Sequence, residues 1–209
     1  SQEDLINSST RRIRCVAGPG TGKTWSIKGK VRKILNEDSQ NNSKIFAVTY
    51  TRLAAEQLKQ DLCNPDIENS DRITAATLHS FAFKILQQEQ AIPALGRNVR
   101  PCLPTELSVL KHDLAADFGG VSTVDEKLKA FFSMWARLQN EEPGWPQNAE
   151  DQRFHHAYLE WMRFHKCMCI DELIPLAVGY LRDNHINEIS NRFDHIIVDE
   201  YQDLNKADQ

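Results

Sequence analysis

Long apolar runs are missing from this chain of 209 residues: none approaches the ~18 residues that a membrane-spanning helix needs. No leader-like stretch opens it either, so a soluble, cytoplasmic protein without a membrane partner is expected. Cysteine is scarce and unpatterned. Cys15, Cys63, Cys102, Cys167 and Cys169 are odd in number and form no C-x-x-C pair, which argues against a disulfide framework and against zinc. Cys167 and Cys169, two apart, would point to different faces of a helix. Positive charge is not in excess: 25 Lys and Arg stand against 29 Asp and Glu, a net −4, so no global basic field attracts a polyanion. The balance is uneven. Residues 1–90 carry 13 basic and 10 acidic side chains, residues 91–190 carry 10 and 14, and residues 191–209 carry 2 and 5. Any polyanion groove is therefore local, and the first segment is where we expect it.

What remains is 41% apolar, enough to bury the core of one large or two small domains. Ile13 to Ala17 (IRCVA) is a short apolar run and an expected strand, leading into Gly18, Gly20 and Gly22. From Lys23 onward Ile27, Val31, Ile34 and Leu35 recur at helical spacing. Strands are expected at residues 44–49, 72–75 and 193–199. Helices are expected at 53–62, with Ala54, Leu58 and Leu62 inward, and at about 78–88. Strands alternating with helices imply a parallel α/β sheet with ligands at the carboxyl ends of its strands. Residues 91–190 differ: proline-bearing loops separate helical stretches at 106–118, 125–138, 151–165 and 171–184, with Asp171 as an expected N-cap. We read an α/β domain over 1–90 and 191–209, interrupted by an all-helical insert over 91–190. Trp135 and Trp161 sit in amphipathic patterns and are expected in the core; His155, His156 and His165 lack metal-ligand spacing.

Residues 17–24 read AGPGTGKT. Glycines let successive backbone N–H groups converge on a phosphate, a lysine supplies a point charge to the outer phosphates, and a hydroxyl can hold Mg²⁺. Ala17, Gly18, Pro19, Gly20, Thr21, Gly22, Lys23 and Thr24 are thus the expected ATP-binding loop, with Thr24 also on the metal. Near the other end, residues 196–203 read IIVDEYQD. Asp199, closing an apolar strand, is placed to hold Mg²⁺, and Glu200 to polarise an attacking water. Gln202 carries an amide that can donate to a γ-phosphate and accept from that water. We therefore take Lys23, Glu200 and Gln202 as catalytic candidates, with ATP and Mg²⁺ as cofactors.

Gln2, the AGPGTGKT loop, AVTYTRLAAEQL (47–58), TLHSF (77–81) and VDEYQDLN (198–205) together resemble, in order and spacing, the UvrD/Rep/PcrA-like superfamily 1 DNA helicases. The resemblance covers residues 1–90 and 170–209 by motif and the middle only by helical character. It implies a P-loop NTPase (RecA-like) parallel sheet flanked by helices, an all-helical insert, and ATP-driven 3′→5′ movement on single-stranded or partly duplex DNA. It places Gln2 on the adenine edge, where an amide can pair with two base positions at once. It also places Tyr50, Thr51, Arg52 and His79 on DNA, with Tyr50 as a stacking platform. Two departures stand out: Arg52-Leu53 replaces the more common Asn-Lys, and Trp25 stands where relatives often carry Arg.

The resemblance also implies further C-terminal helicase domains as partners, which would supply arginines to the γ-phosphate. This portion alone is expected to hydrolyse little ATP. In related P-loop folds a strand following the Asp-Glu pair lies between the loop strand and the Asp-Glu strand, so a gap in the sheet is expected here. Two other readings stand beside the helicase motor: the motor subunit of a recombination helicase-nuclease, and a nucleotide-gated DNA-binding module without unwinding. RNA stays open as a strand, because nothing here reads a sugar hydroxyl.

Overall fold

The structure, a computed structural model, describes residues 2–18, 20–38, 42–62, 70–97, 99–146, 148–184 and 192–209. Pro19 and Cys63 fall outside them. The described elements run α1 (Gln2–Asn7), α2 (Lys23–Glu37), β1 (Ile45–Thr49), α3 (Arg52–Leu62), β2 (Ile73–Thr77) and α4 (Leu78–Leu86). Then come α5 (Ala91–Leu95), α6 (Pro104–Ala115), α7 (Val121–Ala136), α8 (Ala149–Phe164), α9 (Leu173–Asp183) and β3 (His195–Val198). The chain divides into two compact units, residues 1–77 with 186–203, and residues 78–185 with 204–209.

The first unit is a mixed α/β layer. Its three strands are all parallel in the order β2-β1-β3, with Ile45 opposite both Ile73 and His195. Strand residues alternate faces, and on one face Ile45, Ala47, Ile73 and Ile197 meet Val31 and Leu35 of α2 and Leu58 and Leu62 of α3. β1, buried at every position, is the centre. On α3 the inward alanine is Ala55, not Ala54.

The expected strand at Ile13–Ala17 does not form. The segment lies outside the sheet, with Ile13 42% and Val16 87% exposed. A strand is held by a ladder of backbone hydrogen bonds, and β3 pairs only with β1 among the described residues. Its other edge is open, and Ile196 there is 67% exposed. With no loop strand beyond it, this is an edge of the sheet among the described residues and not the expected gap between two strands.

The second unit is built on helices. Leu110 and Leu114 of α6, Leu128, Phe131 and Trp135 of α7, and Phe154, Tyr158, Trp161 and Met162 of α8 form its core. Trp135 and Trp161 are thus core residues, 5% and 8% exposed. Cys102, Cys167 and Cys169 join the same cluster, against the expectation that the last two diverge. The reason is local: Cys167–Cys169 is extended rather than helical, and Met168 bridges Pro101, so residues two apart face one side. Asp171 is not an N-cap. It sits exposed in a 3₁₀ turn (Ile170–Glu172) whose Glu172 side chain accepts the Cys169 N–H at 3.0 Å.

Candidate functional site

The glycine-rich loop is shaped by its own residues. Gly20 and Gly22 have φ of 71° and 83°, a left-handed backbone that suits glycine. The Thr21 hydroxyl donates to the Gly18 carbonyl at 2.7 Å, closing the turn. A Cβ on Gly22 would lie 2.5 Å from Gln2 Nε2, so the close approach of Gln2 also requires glycine there. Gln2 Nε2 donates to the Thr21 carbonyl at 2.5 Å, fixing the α1 side chain against the loop.

Gly22 leads directly into α2 and contributes no side-chain cap. The first N–H groups of that helix therefore present a positive end at the loop, the arrangement that receives phosphate. Thr24 is exposed in this first turn, and Trp25 beside it is 55% exposed. Ala17 and Gly18 precede the turn.

Across 177 residues of sequence, Lys23 Nζ donates to both carboxylate oxygens of Glu200, at 2.7 and 2.9 Å. The Gln202 amide donates to the same carboxylate from the neighbouring 3₁₀ turn (Tyr201–Asp203). Asp199 and Glu200 directly follow β3, and Glu200 is held at φ 53°, a left-handed conformation unusual for a branched or long side chain. The Asp199 N–H bonds the Val48 carbonyl at 2.9 Å, so pairing with β1 continues to the carboxylate pair itself.

The electrostatics follow from these contacts. The Glu200 hydrogen bond, opposed by partial burial, holds the Lys23 ammonium above its ordinary value. Lys23, then Gln202, holds the Glu200 carboxyl below its own. Asp199 goes the other way: burial, then the neighbouring Glu200 charge, pushes its carboxyl up. Asp199 is thus a carboxylate short of positive charge, the condition that a divalent cation relieves. Among the described residues there is no group of three His, Cys, Asp or Glu side chains that could hold a metal by themselves. One carboxylate, one hydroxyl and an open surround suit a magnesium ion that keeps water and substrate phosphate as ligands.

Tyr50, Thr51 and Arg52 follow β1 at the carboxyl end of the sheet, and the Tyr50 ring is 45% exposed. The Thr51 hydroxyl accepts the Ala54 N–H at 3.1 Å, so it caps α3, and Arg52 opens that helix. Thr49, which sequence reasoning passed over, is 1% exposed with a hydroxyl lacking any hydrogen-bond partner. Its signal was there, a threonine ending an otherwise apolar strand. His79 belongs to the second unit, half-buried in the first turn of α4. There it opposes the effect of burial, which pushes the Asp208 carboxyl up.

Comparison with known sequences gives consistent findings. The family model described as "UvrD/REP helicase N-terminal domain" matches residues 1–209. A Staphylococcus epidermidis protein described as "ATP-dependent DNA helicase PcrA" is 26% identical over 222 aligned residues, covering 99% of this chain. A Staphylococcus aureus protein of the same description is 23% identical over 218 residues, again covering 99% of the chain. The chain spans about 30% of the length of these relatives.

Proposed function

Because the chain belongs to the UvrD/REP helicase N-terminal domain family, we propose that it is the ATP-binding portion of an ATP-dependent DNA helicase. On this reading ATP hydrolysis drives movement along single-stranded DNA, 3′→5′ as in the motors it resembles, together with further helicase domains. The observation that carries the proposal is the contact of Lys23 with Glu200, since it brings the phosphate loop and the Asp-Glu pair to one place. The first unit is the nucleotide-binding domain, and the helical unit is its insert.

The residues divide the work. Ala17 to Gly22 and the start of α2 bind phosphate through backbone N–H groups, and Gln2 reads the adenine edge. Lys23 neutralises the outer phosphates. To do so its ammonium must exchange the Glu200 carboxylate for phosphate oxygen, which leaves Glu200 free to accept a proton from water. Gln202, already bonded to Glu200, stays in reach to orient that water. Asp199 and Thr24 would hold Mg²⁺, which supplies charge neutralisation for phosphoryl transfer. Tyr50 stacks a base, with Arg52 on the adjoining phosphate and His79 as a further DNA contact.

Nucleotide binding tests this. With Mg²⁺ present, the wild-type chain should bind a fluorescent ATP analogue, and Lys23→Ala should weaken that binding by about tenfold or more. In a protein that joins this chain to its C-terminal helicase domains, single-stranded DNA should stimulate ATP hydrolysis, and Lys23→Ala should abolish the stimulation. Equal nucleotide affinity in the two proteins would overturn the assignment.

A further inference from the structure

The end of α8 carries a residue that its backbone does not favour. The helix closes with the Cys167 N–H on the Met162 carbonyl at 3.0 Å and the Lys166 N–H on the Arg163 carbonyl at 3.2 Å. The Cys167 and Met162 sulfurs touch at 3.6 Å. This is a Schellman closure with its apolar contact, and its left-handed position is the natural place for glycine. Here that position holds Lys166, at φ 51°. A lysine there is strained, and nothing in the fold uses its side chain: Lys166 is exposed and has no ion-pair partner among the described residues.

The neighbours show what the side chain could serve. Phe164 is 81% exposed, an unusual position for an aromatic ring. Arg163, on its other flank, is exposed and likewise without an ion pair among the described residues. Beneath them the support is rigid. His165 stacks on the core residue Trp161 at 3.8 Å between ring centres and meets the Phe164 ring edge-on at 5.0 Å. Arg100 anchors the turn by donating to the His165 carbonyl at 3.1 Å. Of the nearby acids, Glu106 is engaged by Arg100 and Asp113 by the Trp161 indole N–H, while Glu160 lies exposed at 3.7 Å from His156, an ion pair only when that histidine is protonated.

We propose that Arg163, Phe164 and Lys166 form a second single-stranded DNA contact on the helical unit, separate from Tyr50. One base stacks on Phe164 while the two cations take adjoining phosphates. An exposed ring flanked by free positive charge is the combination that binds single strands without reading sequence. The proposal rests on the single-stranded DNA reading given above.

The test is fluorescence anisotropy of a labelled oligothymidylate with the 209-residue chain. Phe164→Ala should weaken binding by about fivefold to a hundredfold, and Phe164→Trp should restore it. Lys166→Gly should weaken binding several-fold while raising the thermal unfolding midpoint, because glycine relieves the left-handed strain. Affinity and stability moving in opposite directions is an outcome that a purely structural Lys166 does not produce. If Lys166→Gly raises the midpoint with affinity intact, or if Phe164→Ala binds as wild type while Tyr50→Ala binds more weakly, this contact is refuted and the helicase reading stands. If the wild-type chain fails to bind any single strand, this contact is refuted, and the helicase reading is decided by the nucleotide-binding test and by the DNA stimulation measured with the further helicase domains present.

Discussion

Lys23 and Glu200 satisfy each other in this structure, whereas the proposed function gives each a different partner during catalysis. A carboxylate that accepts both hydrogen bonds from the ammonium competes with phosphate oxygens for it. Removing that charge while keeping the shape separates binding from chemistry. Glu200→Gln is therefore expected to bind an ATP analogue several-fold more tightly than wild type, because Lys23 is released. Hydrolysis, measured with the C-terminal helicase domains present, should drop by about 10²–10⁴-fold, the usual contribution of a general base. A variant that binds nucleotide no better than wild type would show that the ion pair does not compete. The sequence made each partner legible singly: a lysine after clustered glycines, a carboxylate pair after an apolar strand. Their facing each other follows from the motifs together, but the direct ion pair, made with Glu200 in a left-handed turn, is one that no residue type announces.

Elements were legible wherever one face meets a core. The spacing of Val31 and Leu35, or of Leu128, Phe131 and Trp135, marks a buried stripe, and α2 and α7 follow it. The short helices α1 and α5, with at most one buried residue each, were not marked, and two further segments were misread. Ile13–Ala17 has a strand's composition but pairs with no strand among the described residues, and composition alone does not hold a strand. Cys167–Cys169 sits between two helices, and only its bridge to Pro101 makes it extended. The same turn region depends on a buried polar staple that joins the end of α5 to the start of α9. Arg97, just past α5, donates twice to Glu172, which also accepts the Tyr158 hydroxyl at 2.7 Å and the Cys169 N–H. Both charged side chains are under 5% exposed. Deleting one charge strands the other away from water, which costs about 3–5 kcal/mol in buried pairs. Arg97→Met should lose about that much in urea unfolding of the chain. A loss within a few tenths of a kcal/mol would mean that water already reaches Glu172.

At the scale of the whole molecule the charge distribution limits how the proposed DNA strand could be held. With 29 acidic against 25 basic side chains, the chain has no diffuse positive field, and the 91–190 stretch is acidic on balance. Affinity for a polyanion must come from a few local cations together with stacking, which salt hardly screens. Single-strand binding releases about 0.7 counterion per phosphate neutralised. Three contacts, from Arg52, Arg163 and Lys166, thus predict a slope of about −2 in a plot of log affinity against log salt concentration. Anisotropy titrations between about 50 and 200 mM salt should therefore show only a modest loss, roughly tenfold to twentyfold. Replacing Tyr50 or Phe164 by alanine should lower affinity at every salt concentration and leave the slope unchanged, since a ring releases no counterions. A slope steeper than about −5 would instead require a broad basic surface that this composition does not supply.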